Sequence, residues 1–261
     1  MMTAMPSPTP APHVGLFATC LVDLIRPQVG FAAITLLERA GCKVTVPEAQ
    51  TCCGQPGMNA GATDAAVPLA RQLIEQFERF DYLVVPSGSC AGTIKRHYPE
   101  LLEADEPWRD RALALADRTW ELMSFLVEVM HFRPTDIELS SSATYHDSCG
   151  GLREMGVKQQ PRTLLAAVKG LTLEPLEGNE VCCGFGGTFC VKYPAVSNAI
   201  VAEKTRQIER TKAELLLGGD LGCLMNMGGK LSRQGSSIRV MHAAEVLAGM
   251  GRDTALGEGD A

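Results

Sequence analysis

The sequence is poor in aromatics, in histidine and in clustered positive charge. Phe, Trp and Tyr make up 5% of the 261 residues, too few for a surface that stacks nucleic-acid bases. Lysine and arginine total 24 against 30 acidic residues, a formal charge of −6 with no basic run. This excludes an electrostatic footprint for nucleic acid or an anionic membrane. A membrane span needs roughly 20 apolar residues in succession, and the longest apolar stretches, such as 30–37, fall far short. No GxGxxG, GxxxxGKS/T or HExxH string occurs, so the common nucleotide cradles and zinc-protease chemistry have no handle. Ser87-Gly88-Ser89 lacks the GxSxG frame of a nucleophile elbow.

What remains is ordinary globular composition, 46% hydrophobic and 21% charged, long enough for one large domain or two small ones. Residues 1–13 carry Pro6, Pro8 and Pro10 but no basic start and no apolar core; they read as a flexible leader and not a signal peptide. The expected compartment is cytoplasmic, where thiols seldom form structural disulfides. Ten cysteines against five histidines therefore point to metal ligation or redox chemistry.

The cysteines repeat. Cys52-Cys53-Gly54 recurs as Cys182-Cys183-Gly184, 130 residues later. Cys20 lies 32 positions before the first pair and Cys149 lies 33 before the second; Cys90 follows at 37 and Cys223 at 40. Gly41 and Gly170 each lie 21 residues after their half's first cysteine. Eight of ten cysteines obey this duplication, which divides the chain into lobes at 14–98 and 143–250.

Within each half the pattern is α/β. Strand-like runs at 14–19 and 143–146 each deliver a cysteine beyond their C-terminal end. Helices follow at 31–40 and 161–168, closed by Gly41 and Gly170. Further strands are expected at 43–46, 171–174, 82–85 and 214–217, with helices around 70–80 and 196–211. Alternating strands and helices predict two Rossmann-like lobes with mostly parallel sheets. Ligands in such folds sit beyond the carboxyl ends of the strands, where these cysteines fall. Residues 99–142 are expected to connect the lobes as one long amphipathic helix through Leu113, Ala116, Trp120, Met123, Val127 and Met130, with 140–142 as a linker. The Gly- and acid-rich tail 251–261 is expected to be disordered.

Thiolates select iron–sulfur clusters, zinc or copper(I). Structural zinc sites favour paired Cys-x-x-Cys knuckles, and neither half has one. Adjacent cysteines with two remote partners suit a larger object gripped from several loops, such as an iron–sulfur cluster. The candidate ligands are Cys20, Cys52, Cys53 and Cys90 in one lobe and Cys149, Cys182, Cys183 and Cys223 in the other. Gly54 and Gly184 allow a sharp turn close to the cluster. Gly184, Gly186 and Gly187 form a candidate nest for an anionic group.

These residues resemble the cysteine-rich CCG domain found in heterodisulfide reductase, in the glycolate oxidase iron–sulfur subunit and in lactate utilisation proteins. The strings CLVDLIRPQVG, TCCGQPGMNAG, VVPSGSCAG, YHDSCGGLRE and VCCGFGGTFCVKYP are similar to the lactate utilisation protein A family. The resemblance implies an iron–sulfur electron-transfer subunit in L-lactate oxidation to pyruvate. Iron–sulfur clusters are expected, one per lobe, four-iron or of another type, and the resemblance implies two partners: a ferredoxin-domain iron–sulfur subunit and a third lactate utilisation protein. In heterodisulfide reductase each domain ends in Cys-x-x-Cys; here the first of those positions is Ser87 or Asp220. Four thiols per lobe suit a cubane, or a non-cubane cluster with an oxygen ligand, or a cluster in one lobe only. A heterodisulfide-reductase-like thiol–disulfide enzyme and a zinc-binding scaffold are the alternatives.

Other residues have plainer readings. Cys42 reads as a small buried hydrophobe and Cys190 as a spare thiol near the second pair. His146 and Asp147 could relay protons, although a strand-end histidine satisfied by backbone reads as well. Arg153 reads as a solvated helix arginine, Met225 and Met227 as core, and His97, His131 and His242 receive no role.

Overall fold

Short apolar runs such as Tyr82–Val85 and Leu215–Gly218 are covered on both faces, as central parallel strands must be. A computed structural model of the chain describes residues 10–258, so most of the leader (1–9) and the last three residues of the tail lie outside the described residues. The first lobe runs β1 (His13–Leu16), α1 (Cys20–Ile25), α2 (Pro27–Arg39), β2 (Lys43–Thr45), α3 (Gln55–Asn59), α4 (Thr63–Phe77), β3 (Tyr82–Val85), α5 (Gly88–Gly92), α6 (Tyr98–Leu101), α7 (Glu106–Asp117), β4 (Thr119–Glu121) and α8 (Leu122–Ser124). The second runs β5 (Glu138–His146), α9 (Cys149–Met155), α10 (Gln159–Leu165), β6 (Lys169–Glu174), α11 (Phe189–Lys192), α12 (Pro194–Arg210), β7 (Leu215–Gly218), α13 (Leu221–Arg233), β8 (Arg239–His242) and α14 (Ala243–Leu247). Two all-parallel sheets result, in the matching orders β2-β1-β3-β4 and β6-β5-β7-β8. The expected duplicated α/β architecture is the observed one.

Strand alternation decides what each sheet buries. Val14, Leu16 and Val84 of the first sheet share one core with Ala143, Tyr145, Leu215, Leu217 and Met241 of the second. The opposite faces form a separate cluster in each lobe: Leu83 and Val85 meet Ile74, Phe77 and Phe80, with Met155 of α9 reaching across, whereas Leu216 and Val240 meet Ile208, Leu224 and Met227. At the lobe boundary α5 crosses α9 with backbones almost in contact. A Cβ on Gly88 would sit 2.4 Å from the Gly151 Cα, and one on Gly150 would sit 2.7 Å from the Ser89 Cα. Only glycine permits that approach, and it is what brings the two cysteine-bearing ends together.

Three expectations about the connections are corrected. Residues 99–142 do not form one long helix: α7 stops at Asp117, Arg118 leaves helical geometry, and β4 completes the first sheet. Residues 140–142 are not a linker but the middle of β5. The described part of the tail, 251–258, is packed: Ala255 is buried, the Leu256 amide donates to the Val240 carbonyl at 2.9 Å, and Glu258 pairs with Arg239.

The fourth strands end at matching positions, Glu121 and His242, and both residues cap the helix that follows. Glu121 Oε2 accepts from the Met123 and Ser124 amides (2.8 and 3.0 Å), and His242 Nδ1 accepts from the Ala244 amide (3.2 Å). Both are buried, and Glu121 Oε1 and His242 Nε2 have no partner. Burial raises the Glu121 carboxyl from 4.5 to about 7 and lowers the His242 imidazole from 6.5 to about 4. The two act on stability with opposite sign. Between pH 4.5 and 7 the native Glu121 keeps a proton that the unfolded chain has lost, so stability falls as pH rises. Between pH 6.5 and 4 the unfolded chain binds a proton that native His242 refuses, so stability falls as pH falls. At about 1.4 kcal/mol per pKa unit, each contributes roughly 3 kcal/mol over its window. Urea unfolding from pH 4 to 7.5 is expected to show Glu121→Gln removing the neutral-side loss and His242→Asn removing the acid-side loss. An unchanged slope in either variant refutes the corresponding assignment.

Candidate metal centres

The turns after β1, β3, β5 and β7 each place a thiol where a helix begins. Cys20 and Cys149 are the first residues of α1 and α9; Cys90 and Cys223 are the third residues of α5 and α13. Amides in a first helical turn favour a thiolate over a thiol. The Cys-Cys-Gly turns complete each group. Gly54 and Gly184 share φ = 83°, a left-handed conformation that disfavours any side chain. Each turns its amide back onto sulfur: Gly54 N–H donates to Cys52 Sγ at 3.4 Å and Gly184 N–H to Cys182 Sγ at 3.3 Å. Gly186 and Gly187 also lie at positive φ. They wall the cavities, and the Gly187 carbonyl accepts from Cys190 Sγ at 3.2 Å.

All eight sequence-chosen cysteines converge, four to a cavity. Cys20, Cys52, Cys53 and Cys90 line a cavity of about 180 Å³. Cys149, Cys182, Cys183 and Cys223 line one of about 380 Å³. The two adjoin, sharing Gln55, Ser89, Phe185, Gly187 and Asp220 as walls. Cys53, Cys183 and Cys223 are buried, whereas Cys149 and Cys182 reach the surface. Cys42 lies apart in the shared core, and Cys190 lines neither cavity.

The thiols perturb one another. In the first lobe Cys52 is lowered, because the Cys20 and Cys53 thiols donate to it and the Gly54 amide adds to them. Cys20 and Cys53 are raised by that same contact with Cys52 and by burial. In the second lobe Cys182 is raised by its contact with Cys183 and by burial. The contact with Cys182 favours the Cys183 thiolate, but Cys223 and burial outweigh it and Cys183 is raised. Cys149 is raised by burial and by Cys182. Crowded thiols holding protons they would release to a metal form a donor set of soft sulfur ligands. The amide donors on sulfur and the room inside both cavities fit an iron–sulfur group in each.

The contacts that other residues make around the cavities are not visible in the sequence. Ser87 and Asp220, which occupy matching positions, meet across the lobe boundary. Ser87 Oγ donates to Asp220 Oδ2 (3.3 Å), as does the Ser89 amide (3.0 Å). Burial raises the Asp220 carboxyl, and these donors oppose the rise. His97 and Glu154, 3.5 Å apart, line the second cavity from opposite lobes. His146 makes no well-formed hydrogen bond through either ring nitrogen, although the Asn179 backbone lies close enough to favour its charged form against burial, which lowers the imidazole to about 3; it lies with Cys183 and Cys223 in a group whose ligand atoms are all within 4.8 Å of one another. Asp147 is engaged by Arg162 at 2.8 Å through both oxygens and by Asn179 at 2.7 Å. Among the described residues no helix is long and apolar enough to cross a membrane.

Comparison with known proteins agrees with the duplicated pattern. The cysteine-rich (CCG) domain family matches residues 14–95 and 143–228. Lactate utilization protein A of Geobacillus sp. (strain WCH70) is 50% identical over 234 residues, covering 90% of this chain and 98% of that protein. The protein of the same name from Anoxybacillus flavithermus (strain DSM 21510 / WK1) is 49% identical over 90% of this chain and 98% of its own. Lactate utilization protein A 2 of Bacillus cereus (strain AH820) is 45% identical over 90% and 97%. Among solved structures, a hypothetical protein from Helicobacter pylori superposes with a TM-score of 0.62 at 14% identity over 95% of this chain. The match spans about half (52%) of that longer protein and shows a shared fold.

Proposed function

Because the chain belongs to the lactate utilization protein A family, built on two cysteine-rich CCG domains, we propose that it is an iron–sulfur electron-transfer subunit in the oxidation of L-lactate to pyruvate. The observation that carries this reading is the pair of adjoining cavities, each gathering four thiols. Cys20, Cys52, Cys53 and Cys90 would hold one four-iron group and Cys149, Cys182, Cys183 and Cys223 the other. Such a group, when bound, stores one electron, and two of them match the two electrons released as lactate becomes pyruvate.

The chain's own residues tune and shield that chemistry. The Gly54 and Gly184 amides point at sulfur and stabilise negative charge there. Phe185 and Gly187 wall both cavities, and the Ser87–Asp220 hydrogen bond fixes one lobe's cavity against the other's. The partners in this reading are a ferredoxin-domain iron–sulfur subunit and a third lactate utilization protein, in the cytoplasm. Anaerobic purification is expected to give a brown protein with iron and acid-labile sulfide in equal amounts and a paramagnetic signal on reduction. A colourless, iron-free protein that still supports growth on lactate overturns the proposal. A zinc site has one observation behind it, the close grouping of His146, Cys183 and Cys223. Zinc without sulfide in the same assay would favour that reading.

A further inference from the structure

The two lobes repeat one backbone, so their sites can be compared position by position, and the floors beneath the two quartets differ. Three residues before the first cysteine stands Phe17 in one lobe and His146 in the other. The buried faces of α4 and α12 correspond one for one, each pair 131 positions apart. Ala66, Ala70, Leu73, Ile74 and Phe77 are wholly apolar, whereas Ser197, Val201, Lys204, Thr205 and Ile208 are mixed. Both helices back onto the Cys-Cys-Gly turns: Gly54 abuts Ala66, and Ser197 Oγ donates to the Gly184 carbonyl at 2.8 Å. Cys53 thus packs in one cluster with Phe17, Ala70, Leu73 and Ile74. Leu73 of the first lobe is Lys204 in the second.

Lys204 is fully buried. Its Nζ donates to the carbonyls of Gly178 (2.7 Å) and Asn179 (3.0 Å), on the loop that leads into Cys182. Among the described residues no carboxylate forms a salt bridge with it, since Asp147 is occupied by Arg162. Inside the protein the charge faces the two carbonyls, the cysteine sulfurs and, beyond salt-bridge distance, the Asp147 carboxylate that Arg162 already engages. Burial lowers the amine to about 8, while Cys183, Asp147, Cys223 and Cys182 each pull it up. His146 adds an imidazole with two unpartnered nitrogens, grouped within 4.8 Å of Cys183 and Cys223.

We propose that Lys204 and His146 make the second-lobe centre the more easily reduced of the two, so that electrons come to rest on the Cys149–Cys182–Cys183–Cys223 side. The proposal rests on the reading that both lobes hold iron–sulfur groups. Reduction adds negative charge to a thiolate-bound centre that is already anionic. A buried ammonium stabilises that added charge, and low local dielectric magnifies the effect. An imidazole beside sulfur adds a polar group that can turn an N–H onto it. The first lobe offers phenyl and alkyl groups in the same places. Asp220 opposes reduction, but it lines both cavities and is already held by hydrogen bonds from Ser87 and Ser89 of one lobe and Gly222 of the other.

The test is a redox titration of the anaerobically loaded full chain, followed by electron paramagnetic resonance. Cys53→Ser and Cys183→Ser identify which signal belongs to which lobe. The unmodified chain is expected to show two potentials, the second lobe's being higher. Lys204→Leu and His146→Phe should each shift only that signal downward, together by at least tenfold in the reduction equilibrium, about 59 mV for one electron. Lys204→Arg should restore most of the Lys204 share, and Phe17→His should raise the first-lobe signal. A purely structural role for Lys204 predicts altered loading or melting without a shift in potential. Equal potentials, or the first lobe higher, overturn this inference while leaving the iron–sulfur reading intact. A chain that binds no iron and sulfide overturns both.

Discussion

Cys53→Ser and Cys183→Ser are each expected to lose about half of the bound iron and sulfide, that of their own lobe, whereas Cys42→Ser keeps all of it. Cys53 and Cys183 lie at the bottom of their quartets, buried, and each touches two other thiols of its group: Cys53 meets Cys52 and Cys90, and Cys183 meets Cys182 and Cys223. A serine hydroxyl there is a hard, weakly acidic donor in place of a soft thiolate. The other half is expected to survive, because each quartet lines its own cavity. Cys42 gives the contrast. It is buried in the shared core, burial alone pushes its thiol up to about 11, and no cysteine contributes to the shift. Replacing it by serine buries a hydroxyl without a designed partner, at a cost of about 1–3 kcal/mol in stability, and leaves metal content unchanged. Loading should also be pH-dependent. Cys20, Cys53, Cys149, Cys182 and Cys183 all hold their protons more tightly than a free thiol, so binding releases protons and strengthens from pH 7 to 9. Iron and sulfide analysis of the three variants, loaded side by side, decides the matter. Equal loss in all three would show that the ligand assignment is wrong.

The central strands and the quartets were legible because both follow short-range rules. Tyr82–Val85 and Leu215–Gly218 are apolar runs buried on both faces; Cys20, Cys90, Cys149 and Cys223 fall within five residues of a strand end, whereas the Cys-Cys-Gly pairs, seven and eight residues beyond theirs, are read from the repeat. The edge strands β4 and β8 were missed for the opposite reason. Each pairs along one side only. Thr119–Glu121 and Arg239–His242 therefore carry polar residues and are too short to show a period of two. The spacing of Leu113, Ala116, Trp120 and Met123 imitated a continuous helix, although Arg118 breaks it. Lobe-to-lobe contacts leave no local trace: nothing near Ser87 announces that its hydroxyl donates to a carboxylate 133 residues away. The repeat itself held the missing signal for the floor of the second site, since aligning α4 with α12 sets Lys204 against an aliphatic leucine.

A second large effect is expected where the lobes are tied by charge: Arg26→Met should cost about 3–5 kcal/mol. Arg26 lies between α1 and α2 with its guanidinium buried against α14 of the other lobe. Its Nε donates to Glu245 Oε1 at 2.9 Å and its Nη2 lies 2.8 Å from the same oxygen, with only 10% and 1% of the two side chains exposed. A further bond from Nη2 to the Thr254 carbonyl secures the chain beyond α14. Glu245 Oε2 is already engaged, accepting from the His242 amide at 2.9 Å to close a capping box. Removing the arginine strands a buried carboxylate with no cation and leaves a carbonyl unpaired, which is why truncating one partner costs more than the pair itself contributes. For a chain of this length each kcal/mol lowers the melting temperature by roughly 2–4 °C, so a fall of about 10 °C or more is expected. The double variant Arg26→Met/Glu245→Gln separates the stranded charge from lost packing. Its amide keeps an oxygen for the His242 amide but carries no charge, so it should regain much of what Arg26→Met loses. Thermal and urea unfolding at pH 7 measure both variants. Should the double variant be no more stable than Arg26→Met, the carboxylate is not what Arg26 compensates.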